Sequence, residues 1–412
     1  MVIKMSQTMS QTQQSASITS ETQSFDVVLV GGGMVGAATA IGLAQQGLNV
    51  AVVESFTPEA YSPEQALDVR VSAISVASEQ LLEQLGALES LLNMRNVPYL
   101  GLETWELDGC ITQFHSSQIG ASHLGHIVEN RLVQLALWEQ MQQWENIQLF
   151  CPERVAYFAR GVDTVSVHLQ SGYSLEAKLL VGADGANSQV RQWAGIGISG
   201  WDYAQSAMLI NIQTAQGQQY VTWQQFTPSG PRSLLPLPGN HASLVWYDDA
   251  NRIKQLMQLN NKQLADQIRQ HFPSRLDSDF TVEAKGSFAL TRRHAQAYFK
   301  PNVVILGDAA HTINPLAGQG VNLGFKDVGA LLTAIKTALT EDKPWWSTEV
   351  LSQYQAKRYL DNQLMMTTMD VFYASFSNDI LPLKLLRNGA LKLANINSPI
   401  KQTVLKYAMG LN

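Results

Sequence analysis

Apolar residues in this chain fall into short unbroken runs and longer stretches of helical period. Residues 25–30 (FDVVLV) are apolar but for Asp26 and rich in β-branched side chains. A run with no alternation predicts a strand buried on both faces of a parallel sheet. GGGMVG (31–36) follows, then AATAIGLAQQG (37–47), a helical run stopping at Gly47, then NVAVVE (49–54), a second buried strand closing on Glu54. Far downstream NVVIL (302–306) repeats the strand pattern, runs into Gly307-Asp308 and a Pro/Gly loop, and opens a helix over 323–339. Between these ends, 97–126 alternates as strands and 128–144 predicts a helix. Residues 164–185 predict a hairpin feeding a buried strand, and 203–249 is strand-like and rich in aromatic residues. An amphipathic helix is predicted over 252–272. From 346 to 412 the pattern is mostly helical, with an apolar segment at 364–376, read as core packing, and a basic amphipathic segment at 381–396 suited to an anionic membrane surface.

Composition narrows the class. The 412 residues suggest two or three domains. With 45% hydrophobic and only 15% charged residues, the chain can bury a large core. A net charge of −6 argues against nucleic acid as a partner. Cys110 and Cys151 cannot make a disulfide framework or a zinc ribbon, and a reducing compartment is expected. Residues 1–24, mostly Ser, Thr and Gln, read as a disordered tail without a signal peptide. No apolar run reaches about 18 residues, so a spanning helix is not expected. These features lead to an expected cytoplasmic location, with peripheral contact to the inner membrane as an option.

The first strand–turn–helix–strand unit has specific chemistry. Gly31 permits the tight turn, Gly33 lets a pyrophosphate approach the backbone, and Gly36 lets the helix pack close to the strand. The helix start offers free N–H groups to phosphate. Glu54 is placed to accept hydrogen bonds from ribose hydroxyls and would repel a 2′-phosphate. Downstream, Asp308 at a strand end suits a polyol. Gly318 and Gly320 let a flat ring lie on the backbone, and the helix start faces charge that develops on that ring. Two complementary ends of one dinucleotide fit FAD better than NAD.

Three ordered motifs resemble the single-component FAD-dependent aromatic hydroxylases built like p-hydroxybenzoate hydroxylase. They are GGGMVG with Glu54, the segment Gly182-Ala183-Asp184-Gly185 continuing to Arg191, and Gly307-Asp308. The resemblance implies FAD contacts at Arg70 and Arg131, and places Asp184 and Gly185 near FAD and the nicotinamide path. It puts Asp308 on the ribityl chain and Pro315 at the flavin face, with Val321 and Asn322 in the helix start. Stretches at 203–213, 222–237, 242–249, 290–295 and 311–324 are similar to the ubiquinone-biosynthesis hydroxylases, nearest those acting on demethoxyubiquinol. That implies NAD(P)H and O2 as co-substrates, a polyprenyl quinol as substrate, and a flavin C4a-hydroperoxide as oxygen donor. Other proteins of ubiquinone biosynthesis enter as candidate partners. Two alternatives stay open: a sister hydroxylase acting at another ring position, and a non-catalytic FAD-binding subunit. A halogenase is disfavoured because no WxW pattern occurs.

The expected fold class is α/β, with a Rossmann-like FAD-binding domain, an inserted mixed-sheet substrate domain and a helical C-terminus. The expected boundaries are 25–96, 127–192 and 286–345 for the FAD domain, 97–126 and 193–285 for the substrate domain, and 346–412 for the terminal helices. No side chain is assigned as catalytic and no metal site is expected. His294 and His311 are read as holding loops.

Overall fold

The computed structural model describes residues 22–313 and 320–376, together with Lys384 and Arg387–Gly389. Buried β-branched runs assemble a six-stranded sheet in the order Phe299–Lys300, Val303–Ile305, Leu179–Gly182, Val27–Val30, Val50–Val53, Ile147–Phe150. All pairings are parallel except the short hairpin made by the first two strands. Gly182 pairs with both Val30 and Ile305, and Val30 pairs with Val53. Four strands therefore end on one row, and the segments that follow emerge side by side. Ligands of open α/β sheets bind beyond such carboxyl ends.

Helix Met34–Ala44 packs on helices Asn130–Met141 and Gly320–Thr340. It is buried nearly all round, as its apolar pattern without a polar stripe requires.

A larger, eight-stranded sheet has the order His311–Thr312, Phe280–Ala295, Ile198–Thr214, His241–Asp249, Arg232–Pro236, Val221–Gln225, Gly101–Trp105, Thr112–His115. Its two long strands are 16 and 17 residues. One face buries Trp105, Trp223 and Trp246 against two short helices. The other face, with Leu235, Val245, Tyr247 and Leu290, turns toward the three-stranded sheet Val71–Ser75, Gly125–Glu129, Asn96–Tyr99.

Three local details differ from the sequence pattern. Thr22–Ser24, placed in the tail by composition, form a strand parallel to Ser174–Ala177; polar residues serve there because only one edge needs pairing. The helix predicted over 252–272 is two helices, Ala250–Gln258 and Asn261–His271. Asn260 and Gln263 close a reciprocal capping box at the break. Helix Thr348–Phe376 buries Met366 and Phe376 but exposes Leu364 and Val371. Its end docks on the larger sheet, through Phe376 stacked on Phe226 at 4.2 Å and Asp370 paired with Arg292 at 2.7 Å. Among the described residues no helix is long and apolar enough to cross a membrane. Of the segment 381–396, all but Lys384 and Arg387–Gly389 lies outside the described residues.

Candidate active site

The aligned strand ends define the site. After Val30 the chain turns at Gly31, whose φ of +102° is a left-handed value that favours glycine. A methyl on Gly36 would stand 1.8 Å from the Gly31 carbonyl oxygen, so the helix rests directly on the turn. Gly33 is different: no atom lies within 4 Å of where its Cβ would be, because its backbone faces open cavity. Glu54 Oε2 accepts the Gly32 N–H at 2.6 Å, and Oε1 accepts the N–H groups of Ser55 and Phe56 at 2.7 and 3.0 Å. The Gly32 carbonyl accepts from Trp138 Nε1 at 2.7 Å and Gln134 Nε2 at 2.9 Å. These two clamps sit on the helical run 128–144, whose periodicity gives no sign of them.

Two cavities share Gly33, Met34, Arg70 and Asn130, so they form one cleft. The outer chamber, about 420 Å³, is lined by Pro58, Asp68, Arg131 and Gln134. The inner, about 300 Å³, reaches Ala183, Gly185, Asp308, Gly320 and Val321, and ends on apolar side chains of the larger sheet: Leu209, Leu235, Val245, Phe288 and Tyr247. The cleft thus joins the phosphate turn at one end to the Asp308 segment and helix start at the other.

Asp308 lines the inner chamber and is exposed to it. The protein walls of the cleft push its carboxyl above the ordinary range, while His311 and Arg70 pull it back and Asp327 adds to the rise. The helix Gly320–Thr340 begins at this chamber. Its first N–H groups have no intrahelical partner and suit negative charge.

Other expected site residues hold the frame instead of facing the cleft. Asp184 accepts from Ser188 Oγ and from the N–H groups of Gln189 and Val190 at 2.7 and 3.1 Å, which caps the short helix Gln189–Trp193. Its neighbours Ala183 and Gly185 line the cavity. Buried Arg191 donates to Ala309 O at 2.9 Å and Ala186 O at 3.0 Å, tying the middle motif to the late one. Asn322 accepts from Ser75 N at 3.0 Å and Ser78 Oγ at 2.7 Å and donates to Ala73 O at 2.8 Å. It anchors the helix start to the strand that follows Arg70. Arg131 lines the outer chamber but gives its donors to Asp68 and to the carbonyls of Glu59 and Ala60. Gly307 takes a φ of +60° and gives its N–H to Asp327 at 3.0 Å. Pro315 and Gly318 lie outside the described residues.

Behind Asp308 lies a buried polar network that pattern reasoning misses. Asp327, fully buried, accepts from His311 Nε2 at 2.5 Å, Arg358 Nε at 2.8 Å and Asn362 Nδ2 at 3.2 Å. Burial alone would raise its pKa, but His311 and Arg358 hold the carboxyl below its usual range. Asn362 Nδ2 also reaches Tyr298 OH, which pairs with His294 Nε2 at 2.8 Å. Burial lowers the His294 pKa to about 4, with the positive charges of His311 and Arg292 adding to it. Both imidazoles are hydrogen-bonded within this network.

The residues fit a dinucleotide with a long polar backbone and a flat ring. The cradle at Gly33 is open, a carboxylate and an arginine line the middle, and a helix start meets an apolar wall. A mainly parallel sheet with this cleft at its carboxyl edge, capped by a mixed sheet, defines a dinucleotide-dependent enzyme of the flavoprotein type. The family described as "FAD binding domain" matches residues 24–368, and the chain belongs to it. FAD is its cofactor, and the chain is an FAD-dependent monooxygenase. It is 47% identical over 389 residues to the 3-demethoxyubiquinol 3-hydroxylase of Escherichia coli, covering 94% of this chain and 99% of that one. It is 34% identical over 387 residues to ubiquinone hydroxylase UbiL of Rhodospirillum rubrum, covering 93% and 89%. The p-nitrophenol 4-monooxygenase PnpA of Pseudomonas putida shares the fold, with a TM-score of 0.78, 19% identity and coverage of 95% and 99%.

Proposed function

We propose that the protein hydroxylates the ring of a polyprenyl benzoquinol, demethoxyubiquinol, using a nicotinamide donor and O2. The likeness to the Escherichia coli 3-hydroxylase over nearly the full length of both chains carries this reading. The apolar inner wall of Leu209, Leu235, Val245 and Phe288 supports it, because an aromatic ring with apolar substituents needs such a surface. Bound FAD, once reduced, supplies the oxygen-activating chemistry, which the polypeptide lacks.

The chain's own residues have three tasks. Gly31, Gly33, Gly36 and Glu54 hold the adenosine diphosphate end. Arg70 and Asp308 hold the middle, aided by Gly307 and, through the frame, by Arg131, Asp184, Gly185 and Asn322. The helix start at Gly320 and Val321 faces the charge that reduction places on the ring. The apolar wall keeps water from the reacting atoms. Segments 25–96, 127–192 and 286–345 form the cofactor domain in this reading, except that residues 286–295 continue the strand Phe280–Ala295 of the larger sheet and belong with the covering sheet. Segments 97–126 and 193–285 cover it, and 346–412 brings a peripheral membrane contact through 381–396.

Quinone intermediates in a strain lacking the protein test this. Accumulation of the demethoxy precursor, reversed by the wild-type chain and not by Asp308→Ala, is the expected result. Accumulation of a precursor lacking a different ring hydroxyl would move the assignment to a sister step. Full rescue by flavin-free Asp308→Ala protein would leave only a scaffold role.

A further inference from the structure

We infer that Glu79, His123 and His126 form a binding site for a divalent transition-metal ion of the zinc class, apart from the flavin cleft. Three elements bring them together: helix Val76–Gln84, the turn after Gly120, and strand Gly125–Glu129. One ligand atom from each lies within 4.8 Å of the other two. His123 Nε2 stands 2.8 Å from Glu79 Oε2, and His126 Nδ1 stands 2.7 Å from Glu79 Oε1. The imidazole centroids are 4.6 Å apart. Ligand atoms around tetrahedral zinc lie about 3.3 Å apart, so small side-chain rotations close the gap.

The backbone is built for this convergence. Gly125 has a φ of +147°, and a methyl on it would stand 2.1 Å from the Ile74 carbonyl oxygen. Only glycine lets the strand come so near Val71–Ser75, where His126 pairs with Ile74. Ser122 Oγ lies 2.8 Å from His123 Nδ1. A hydroxyl there can accept the Nδ1 proton and leave Nε2 free as a ligand, which is the usual outer support of a metal-bound imidazole.

Charge points the same way. Glu79 is 7% exposed, and among the described residues its ion-pair partners are these two imidazoles. A carboxylate held this far from water gains from pairing with a cation. Two imidazoles and one carboxylate form a donor set suited to zinc, and the His123 side chain, 24% exposed, leaves solvent access for a further ligand. The ion would pin the turn at His123 to a helix whose first turn, through Ser75 and Ser78, holds Asn322 at the flavin-side helix start.

Calorimetric titration of Zn²⁺ into chelator-treated, FAD-loaded protein tests the site. Saturable uptake of one ion per chain is expected, with a rise in thermal midpoint. His123→Ala and Glu79→Gln should each weaken uptake at least tenfold, while Ser122→Ala weakens it less. His123 is partly exposed, so its alanine variant should keep the fold and its flavin absorbance. The absence of saturable uptake by the wild type, or equal affinity in the His123→Ala protein, overturns the assignment and leaves a hydrogen-bonded triad.

Discussion

Two glycines three residues apart have opposite physical duties, and alanine tells them apart. At Gly36 the added methyl would collide with the Gly31 carbonyl, 1.8 Å away. A close-packed interior cannot absorb that without moving backbone, so Gly36→Ala should cost about 1–3 kcal/mol of stability even without cofactor. At Gly33 the φ of −68° suits any residue and the added methyl meets nothing. Gly33→Ala should leave the melting of the flavin-free protein unchanged yet weaken FAD binding at least tenfold, because it fills the phosphate cradle. Denaturant melts of apoprotein and flavin titrations measure both. A Gly33→Ala protein that binds FAD normally would remove the pyrophosphate from this turn.

At the scale of elements, the helix Gly320–Thr340 and the helix Thr348–Phe376 are joined by the network centred on Asp327. Replacing Asp327 by Asn takes the carboxylate from buried His311 and from Arg358 Nε, leaving Arg358 ion-paired with Asp361 alone among the described residues. The expected loss is about 3–5 kcal/mol, seen as a lower denaturation midpoint. The same network gives the protein a pH dependence. His294 titrates near 4 when folded, against an ordinary value of 6.5. Between those values the unfolded chain binds more protons, so this contribution is intact above about 6.5 and is lost as pH falls toward 4. The shift corresponds to about 3–4 kcal/mol. Asp327, held low by its partners, acts in the same direction but only in stronger acid: its share is intact above about 3.8 and disappears as pH falls through its lower folded pKa. Melting curves from pH 7 to pH 4 should therefore fall steeply for the wild type and less so for His294→Gln. Equal slopes would place the acid sensitivity elsewhere.

How much of this was legible in the sequence follows from what kind of interaction each feature is. The strand runs at 25–30, 49–54 and 302–306 were readable because a parallel sheet demands apolar residues on both faces. Gly33, Arg70 and Asp308, expected at the cofactor, do share one cleft. Asn322 and Asp184 were singled out by motif, but their side chains turn to frame hydrogen bonds, a distinction that lives in rotamers and not in spacing. The Asp327 network and the Glu79–His123–His126 cluster join residues far apart in the chain. No local period records such contacts.

For the whole molecule, the cofactor cleft is a seam. One side belongs to the six-stranded sheet and its helices. The other is the wall formed by Leu209, Leu235, Val245, Tyr247 and Phe288 of the eight-stranded sheet. The apolar cores on the two sides are separate clusters, and a smaller third cluster lies between them. FAD would fill the seam and touch residues from three distant parts of the chain, so it should weld the halves thermodynamically. A ligand held at a hundred times its Kd adds about 2.7 kcal/mol to whatever unit must unfold to release it. Scanning calorimetry of the holoenzyme should show one transition whose calorimetric and van't Hoff enthalpies agree. Removal of FAD should lower the midpoint and broaden or split the transition, because each sheet then melts against a wet cavity. Returning FAD should merge the peaks. Asp308→Ala should behave like apoprotein at FAD concentrations that restore the wild type. A flavin-free protein that still melts in one step, with matching enthalpies, would show that contacts between the chain's own residues couple the two sheets without FAD.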